Sequence, residues 1–248
     1  MRKPLIAGNW KMFKTVAEAR TFAKTLRSQW DGSLPRGVAI CPPFTALSAV
    51  AEELRGSSLL LGAQNAHWEK QGAFTGEISA LFLKEVGCRY VLVGHSERRQ
   101  YFGETDETVQ RRTQAVLAAG LVPIVCIGET LPEREAEKTF SVIETQLKGG
   151  LQGLKDLTAI VIAYEPVWAI GTGKTATPDQ AQAVHAFIRR SLGAAFNKDA
   201  AQTVQILYGG SVKPDNMSTL MAQPDIDGGL VGGASLDVES FLKIIRYS

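Results

Sequence analysis

The chain has 248 residues, which is long for one ordinary domain but matches the ~250 residues of a typical α/β barrel. A formal net charge of +2, with no block of like charges, argues against nucleic acid or an anionic membrane as a partner. Cys41, Cys88 and Cys126 are widely spaced within apolar runs, which argues against a disulfide framework or a metal cluster. With no signal-type segment after Met1, these features predict a cytoplasmic protein with a small-molecule partner and no metal.

Short apolar runs alternate with amphipathic runs along the chain. The predicted strands lie near Leu5 to Gly8, Val38 to Cys41, Leu59 to Ala63, Tyr90 to Val93, Pro123 to Ile127, Ala159 to Tyr164, Val204 to Leu207 and Ile226 to Val231. The predicted helices lie near Val16 to Trp30, Thr45 to Leu54, Ala80 to Val86, Thr105 to Ala119, Pro132 to Leu147, Pro178 to Phe196, Pro214 to Met221 and Asp237 to Ile245. This alternation predicts a single (β/α)8 barrel over residues 1–248, with a doubly wound open sheet as the alternative.

Polar residues and glycines follow most of the predicted strands. Because the strands of such a barrel all end at one face, these residues are candidates for one shared site. They are Asn9 and Lys11 after the first strand, Asn65 after the third, His95 and Glu97 after the fourth, Glu129 after the fifth, Glu165 after the sixth, Tyr208 and Ser211 after the seventh, and Gly232 and Gly233 after the eighth.

Glu165 stands at the end of an apolar strand, directly before a loop of small residues. Pro166 restricts the backbone that follows, whereas Gly171 and Gly173 leave the loop able to move. A glutamate in this position is either a solvated loop residue or a base beneath a mobile lid. The segment by itself leaves both interpretations open.

A carboxylate, an imidazole and an ammonium group at one barrel mouth are suited to proton abstraction beside a carbonyl. The carbon acid is weak, so the enolate oxygen must be stabilised by positioned donors. Glu165 is the predicted base, and His95 and Lys11 are the predicted donors. His95 precedes a predicted short helix, whose positive end disfavours an imidazolium, so we predict a neutral imidazole. We interpret His67 and His185 as structural histidines.

Two glycine pairs predict a phosphate site. Gly209-Gly210-Ser211 and Gly232-Gly233-Ala234-Ser235 follow the last two predicted strands and precede helical patterns. Glycines let backbone N–H groups approach an anion, and barrels often hold phosphate at these two loops. Either pair alone could be a tight turn. The run Gly173-Lys174-Thr175 looks like the end of a nucleotide-binding loop, but Trp168 stands where that pattern requires glycine.

Four blocks of the sequence resemble the triosephosphate isomerase family, in that family's order. They are Ala7 to Met12, Gly94 to Arg99, Ala163 to Gly173, and Tyr208 to Ser211 together with Leu230 to Ser235. The resemblance covers the whole chain and implies a TIM barrel. It also implies an isomerase of glycolysis and gluconeogenesis, which interconverts dihydroxyacetone phosphate and D-glyceraldehyde 3-phosphate through an enediol or enediolate without a cofactor.

The resemblance assigns roles to residues of this chain. Glu165 would move a proton between two carbons, His95 would shuttle protons between two oxygens, and Lys11 would stabilise negative charge. Asn9 would help to position the substrate, and Glu97 would support the site from behind. Backbone N–H groups would hold the phosphate, at Gly171, Ser211, Gly232 and Gly233. A lid from Pro166 to Ala176 would close over it, with Trp168 in its hinge and with Tyr208 and Ser211 as its latch.

The resemblance further implies a homodimer. The connection from Asn65 to Ser79, with Phe74 among glycines, would dock near Lys11 and His95 of the partner subunit; the alternative is a mobile surface loop. Phe13 departs from the family, which usually has asparagine there, and this affects the expected interface rather than catalysis. The alternative function is another sugar-phosphate-binding barrel isomerase or synthase, and a third is a non-catalytic binding scaffold.

Overall fold

The computed structural model describes residues 2–171 and 174–248. Within these residues, parallel strands are hydrogen-bonded in sequence order and close into a barrel of eight. The strands are β1 (Leu5–Asn9), β2 (Gly37–Cys41), β3 (Leu59–Ala63), β4 (Tyr90–Val93), β5 (Val122–Ile127), β6 (Val161–Tyr164), β7 (Gln205–Tyr208) and β8 (Gly228–Val231). The barrel is closed because β1 pairs with both β2 and β8. The predicted (β/α)8 barrel is confirmed, and the doubly wound open sheet was wrong.

Helices follow each strand of the barrel, and all but the last connect consecutive strands. They are α1 (Val16–Gln29), α2 (Leu47–Leu54), α3 (Ala80–Val86), α4 (Ser96–Tyr101), α5 (Asp106–Ala118), α6 (Leu131–Glu135), α7 (Thr139–Gly150), α8 (Pro178–Ala195), α9 (Lys198–Thr203), α10 (Met217–Met221) and α11 (Val238–Ile245). Helix α4 is the short helix predicted after His95.

Several helix predictions were wrong in extent, among them the one from Pro214 to Met221, where α10 begins only at Met217. The helix predicted from Pro132 to Leu147 is divided into α6 and α7, because Glu137 between them has a φ of 55°, a left-handed conformation that a helix cannot contain. The helix predicted to end at Phe196 ends at Ala195, and the separate helix α9 follows at once. Asn197 begins α9, with its side chain accepting a hydrogen bond from the backbone of Ala200.

The strands are buried on both faces, and their alternate residues pack in different places. Leu5 and Ala7 of β1 join a cluster made only of strand residues, whereas Ile6 between them joins the larger cluster that includes the helices. Side chains alternate across a strand, so the first cluster fills the barrel and the second lies between barrel and helices. The interior is therefore packed solid, which leaves the loops at the strand ends to form a site.

The three cysteines are buried and free in the described part of the chain. Burial raises the pKa of each thiol, that of Cys88 to about 12, so all three remain protonated at neutral pH. Among the described residues, no helix is long and apolar enough to cross a membrane. The same residues contain no group of three or more histidine, cysteine or carboxylate side chains placed to hold a metal ion.

His185 on α8 is fully buried, and burial lowers its pKa from 6.5 to about 3. Between these two pH values the unfolded chain binds a proton at this residue and the folded protein does not. We therefore expect His185 to reduce the free energy of unfolding as the pH falls, by up to about 1.4 kcal/mol per pH unit. Urea titrations at about pH 6.5 and about pH 4.5 measure this loss. A His185→Gln variant is expected to lose less stability over that interval, and an equal loss would contradict the assignment.

Candidate active site

Glu165 directly follows β6, and its backbone continues the hydrogen bonding of the barrel. Its N–H donates to the carbonyl oxygen of Ile127 at 2.7 Å. Glycines directly after both neighbouring strands, β5 and β7, make room for it. A methyl group added at Gly128 would lie 1.7 Å from the carbonyl oxygen of Glu165, and one added at Gly209 would lie 2.9 Å from its Cγ. The backbone of Glu165 is therefore held by close contact with positions that tolerate no side chain.

The Glu165 carboxylate is buried against the start of α4. Its Oε1 lies 2.9 Å from Nε2 of His95, and its Oε2 accepts a hydrogen bond from the backbone N–H of Ser96 at 3.1 Å. The Glu165 side chain is 2% exposed and that of His95 is 7% exposed. The structure thus brings the predicted base and the predicted imidazole into direct contact, from β6 and β4.

The two groups shift each other's pKa. Burial raises the pKa of Glu165, but the facing His95, the N–H of Ser96 and the charge of Lys11 lower it, and the net direction is down. Burial lowers the pKa of His95, but the Glu165 carboxylate raises it, and the net direction is up. The carboxylate therefore opposes the helix terminus that led us to expect a neutral imidazole.

The hydrogen bonds of His95 nevertheless match a neutral ring. His95 is the N-cap residue directly before α4, and its Nδ1 accepts a hydrogen bond from the backbone N–H of Glu97 at 3.2 Å. Nε2 then carries the ring proton and donates it to Glu165. A second proton at Nδ1 would face the N–H of Glu97, so this contact disfavours the imidazolium. The neutral imidazole stays a prediction.

Lys11 lies in the loop after β1, at the barrel mouth. It contacts two of the predicted site residues. Its Nζ is 2.6 Å from Oε1 of Glu97, and its backbone N–H donates to Oδ1 of Asn9 at 3.0 Å. A methyl group added at Gly232 would lie 3.6 Å from Cε of Lys11. Because Glu97 follows His95 on the chain, these contacts connect the loops after β1, β4 and β8.

The predicted phosphate-binding residues are in the loops after β6, β7 and β8. Gly233 begins a short 3₁₀ turn, Gly233–Ser235, next to Gly232, and the carbonyl oxygen of Ser211 accepts a hydrogen bond from Asn216. A methyl group added at Gly171 or Gly233 would meet open space within 4 Å. Both positions are therefore open on the side where a Cβ would stand. Gly173 of the predicted lid, with Thr172, lies outside the described residues.

Comparison with known proteins places this site in a family. Residues 4–248 match the family model described as triosephosphate isomerase. The chain belongs to the triosephosphate isomerase family. It is 60% identical to the triosephosphate isomerase of Endomicrobium trichonymphae, with all of both chains covered. It is also 57% identical to that of Geobacter metallireducens and 56% identical to that of Chloroflexus aurantiacus, with the whole of this chain covered and 99% and 100% of theirs.

Glu129 is the centre of a polar cluster beside the start of the predicted lid. Its Oε1 accepts hydrogen bonds from the indole Nε1 of Trp168 at 2.9 Å and from the hydroxyl of Tyr164 at 3.1 Å, and Arg134 lies 3.5 Å away. The sequence pattern placed Glu129 after β5 but gave it no role. A fully buried carboxylate needs such partners, and its bond to Trp168 connects the segment after β6 to the barrel.

Tyr208 lies where the loop after β7 meets the first residue of the lid. A methyl group added at Gly210 would lie 2.2 Å from the Tyr208 hydroxyl oxygen and 3.0 Å from Cγ of Pro166. Burial raises the pKa of Tyr208 to about 12, although the backbone of Ala176 acts in the other direction. The neutral hydroxyl is therefore near both ends of the predicted lid.

A cavity of about 690 Å³ opens beside Glu165, between α4, the loop after β5 and the lid. Ser96, Cys126 and Trp168 are among its lining residues, whereas Lys11 and Gly232 are not. The cavity therefore lies beside Glu165 but does not extend to Lys11 or to the predicted phosphate-binding loop at Gly232. It provides room beside the Glu165 carboxylate, which binds the N–H of Ser96 in this structure.

Proposed function

We infer that the protein interconverts dihydroxyacetone phosphate and D-glyceraldehyde 3-phosphate. The observation that carries this conclusion is the contact of 2.9 Å between the carboxylate of Glu165 and the imidazole of His95 at the barrel mouth, in a chain of the triosephosphate isomerase family. The conversion exchanges an aldehyde and a ketone within one molecule. It needs a base for a carbon-bound proton and an acid for the carbonyl oxygen, and these two side chains supply both.

The proton transfers follow from the two groups. Glu165 takes a proton from the carbon beside the carbonyl, and the electron pair of that C–H bond forms the carbon–carbon double bond of an enediolate. His95 donates its Nε2 proton to the oxygen that becomes negative, then takes the proton of the neighbouring hydroxyl. Glu165 returns its proton to the other carbon. Atoms and charge balance, and one carbon is oxidised as its neighbour is reduced, so there is no net oxidation and the chemistry requires no cofactor.

Glu165 must give up hydrogen bonds before it can act. Both of its oxygens are engaged, one with Nε2 of His95 and the other with the N–H of Ser96. A carboxylate with two donors is a weaker base than a free one. We propose that closure of the lid over the substrate moves the carboxylate away from Ser96. Trp168 in the lid and Tyr208 next to it would guide this motion.

The remaining predicted residues hold charge. We propose that the Lys11 ammonium stabilises the enediolate and the phosphate, that Glu97 fixes it through their contact of 2.6 Å, and that Asn9 helps to position the substrate. The phosphate dianion would be bound by backbone N–H groups, which carry no charge that must be desolvated. These groups are assigned to Gly171, Ser211, Gly232 and Gly233.

The test of the function is an isomerase assay in deuterated water. We expect conversion of either triose phosphate into the other, with deuterium incorporated at the carbon beside the carbonyl, because Glu165 exchanges its proton with solvent while the intermediate is bound. Conversion of a different sugar phosphate, without triose phosphate turnover, would favour the alternative of another phosphate-binding barrel enzyme. Binding of triose phosphates without exchange would indicate a non-catalytic scaffold.

We propose that residues 1–248 form one catalytic domain, that this domain acts in the cytoplasm in glycolysis and gluconeogenesis, and that it works as a homodimer. Support for the dimer is apolar surface on the loops after β1, β3 and β4. Met12 is 93% exposed, Phe74 is 44% exposed and Phe102 is 67% exposed. Large apolar side chains on several loops at one end of the barrel support a surface that another protein covers, whereas single exposed ones are common on monomers. The connection from Asn65 to Ser79 carries Phe74 and would dock into the partner subunit.

Sedimentation velocity tests the dimer. We expect the parent protein to sediment as a dimer, because covering these side chains removes apolar surface from water. Phe74→Asp places a charge in the proposed interface and is expected to shift the protein towards monomer and to lower its activity. Phe140→Asp on α7, also an exposed phenylalanine at 46% exposure, serves as the matched control and should remain dimeric. A fully active parent monomer would contradict the docking of the loop.

A further inference from the structure

The backbone at Lys11 has a left-handed conformation, with a φ of 50°. Residues with a side chain rarely adopt this conformation, because Cβ then crowds the following carbonyl oxygen. It persists only where surrounding contacts hold it. The neighbours of Lys11 therefore decide where its backbone, and from it the ammonium group, is placed.

Side chains form hydrogen bonds with both the N–H and the carbonyl oxygen of Lys11. The N–H of Lys11 donates to Oδ1 of Asn9 at 3.0 Å, and its carbonyl oxygen accepts a hydrogen bond from Nε2 of Gln64 at 2.8 Å. The same Nε2 donates to the carbonyl oxygen of Cys41 at 2.9 Å. Cys41 is the last residue of β2, so Gln64 fastens the loop that carries Lys11 to the barrel wall.

The chemistry of position 64 is specific to an amide. Its nitrogen carries two hydrogens, one for each carbonyl oxygen. A carboxylate at position 64 would place an acceptor against the carbonyl oxygens of Lys11 and Cys41, which are acceptors themselves. A thioether would offer these two oxygens no hydrogen-bond donor. The head of the lysine is held separately, by Glu97 at 2.6 Å. Lys11 is thus fixed at its backbone by Gln64 and Asn9 and at its ammonium group by Glu97.

We propose that Gln64 is a positioning residue of the reaction, which sets the place of the Lys11 ammonium group by holding the Lys11 carbonyl oxygen. The inference rests on the proposed function, in which Lys11 stabilises the negative charge of the substrate and the intermediate. Gln64 reaches the chemistry only through Lys11. Its loss should therefore matter only while the lysine is present.

A double-mutant cycle tests this dependence. Gln64→Met keeps the length of the side chain and removes both donors. We expect it to lower kcat/KM about 10-fold, mainly through KM, since a displacement of about 1 Å costs up to about 100-fold. In a Lys11→Met background the same substitution should have no further effect. If the fold-losses in kcat/KM of the two single variants multiply in the double variant, the inference is overturned. If turnover is too slow to measure, the Kd for inorganic phosphate supplies the same cycle.

Controls separate positioning from folding. Gln182→Met is matched to Gln64→Met, since Gln182 exchanges two hydrogen bonds with Asp225, at 2.7 and 3.1 Å, on the α8 side of the barrel. It should lower the urea midpoint similarly and leave KM unchanged. If Gln64→Met lowers the midpoint without changing KM, Gln64 is only structural and the inference fails. If Gln64→Met does not fold, Gln64→Asn keeps the amide on a shorter side chain and should raise KM in the same direction, by a smaller factor.

The proposed function and the inference can fail separately. A Lys11→Met variant with parental activity would remove the role proposed for Lys11, and the inference would fall with it. An impaired Lys11→Met variant together with an unimpaired Gln64→Met variant would overturn the inference alone.

Discussion

Replacing Glu165 by glutamine is expected to lower kcat for triose phosphate interconversion by about 1,000- to 10,000-fold, because an amide cannot accept the carbon-bound proton. Substrate binding should change little, since the phosphate contacts are proposed to lie in other loops. Deuterium exchange from solvent into the substrate should fall together with kcat. This substitution tests the base itself, because glutamine keeps the size and shape of the side chain that packs against Gly209.

Glu165→Asp gives a graded version of the same result. The side chain is shorter by one methylene, so its carboxylate no longer reaches the reacting carbon from the end of β6. Misplacement by about 1 Å is expected to cost about 100-fold in rate with binding retained. Glu107→Gln is the control, because Glu107 is an exposed carboxylate on α5 paired with Arg111, and it should keep the parental rate. A parental rate in Glu165→Asp would exclude Glu165 as the base.

Replacing Arg189 by methionine is expected to lower the free energy of unfolding by about 3–5 kcal/mol. Arg189 on α8 is 5% exposed and forms ion pairs with Asp225 at 2.6 Å and with Asp227 at 2.7 Å. It also donates to the carbonyl oxygens of Ala201 and Val204. Methionine fills similar space but leaves buried acceptors and the buried charge of Asp227 without this partner, which is why the cost is large.

Urea unfolding at a fixed protein concentration measures this loss of stability. Lys148→Met is the control, because its ion pair with Glu144 on α7 is exposed, and its effect should be within about 0.5 kcal/mol. Adding Asp227→Asn to Arg189→Met should recover part of the loss, since it removes the buried Asp227 charge, which would keep its ion pair with Arg2 but lose the one with Arg189. A cost below about 1 kcal/mol for Arg189→Met would show that the ion pairs contribute little beyond their own desolvation.

Local patterns in the sequence were sufficient for most of the fold. Apolar runs of strand length gave β3 and β4 at their observed bounds, because strands buried on both faces have uninterrupted apolar sequences. The division between α6 and α7 was missed, because it depends on the backbone of Glu137. A glutamate with a positive φ has no signature in composition or periodicity. The start of α9 could have been found, since Asn197 is a good residue to begin a helix.

In the candidate site, too, residue type and position in the sequence identified some residues and missed others. Position after a strand was enough to select Glu165, His95 and Lys11, since all strands of a barrel end at one face. Ser96 was not selected, although it binds the Glu165 carboxylate through its backbone, because a backbone contact leaves no trace in residue type. Gln64 was passed over beside Asn65, because its partners are carbonyl oxygens of two other loops.

The sequence by itself determined the barrel, the family and the set of residues at its mouth. Each depends on short segments, on periodicity of two or 3.6 residues and on blocks such as Gly94 to Arg99, which can be read without knowing what lies nearby. Only the tertiary structure decided how these residues act on one another. The bond from Ser96 to Glu165 spans 69 residues and that from Lys11 to Glu97 spans 86. The pKa of a carboxylate and the place of an ammonium group depend on neighbours within a few ångströms. Closure of the barrel brings these neighbours together from distant parts of the chain.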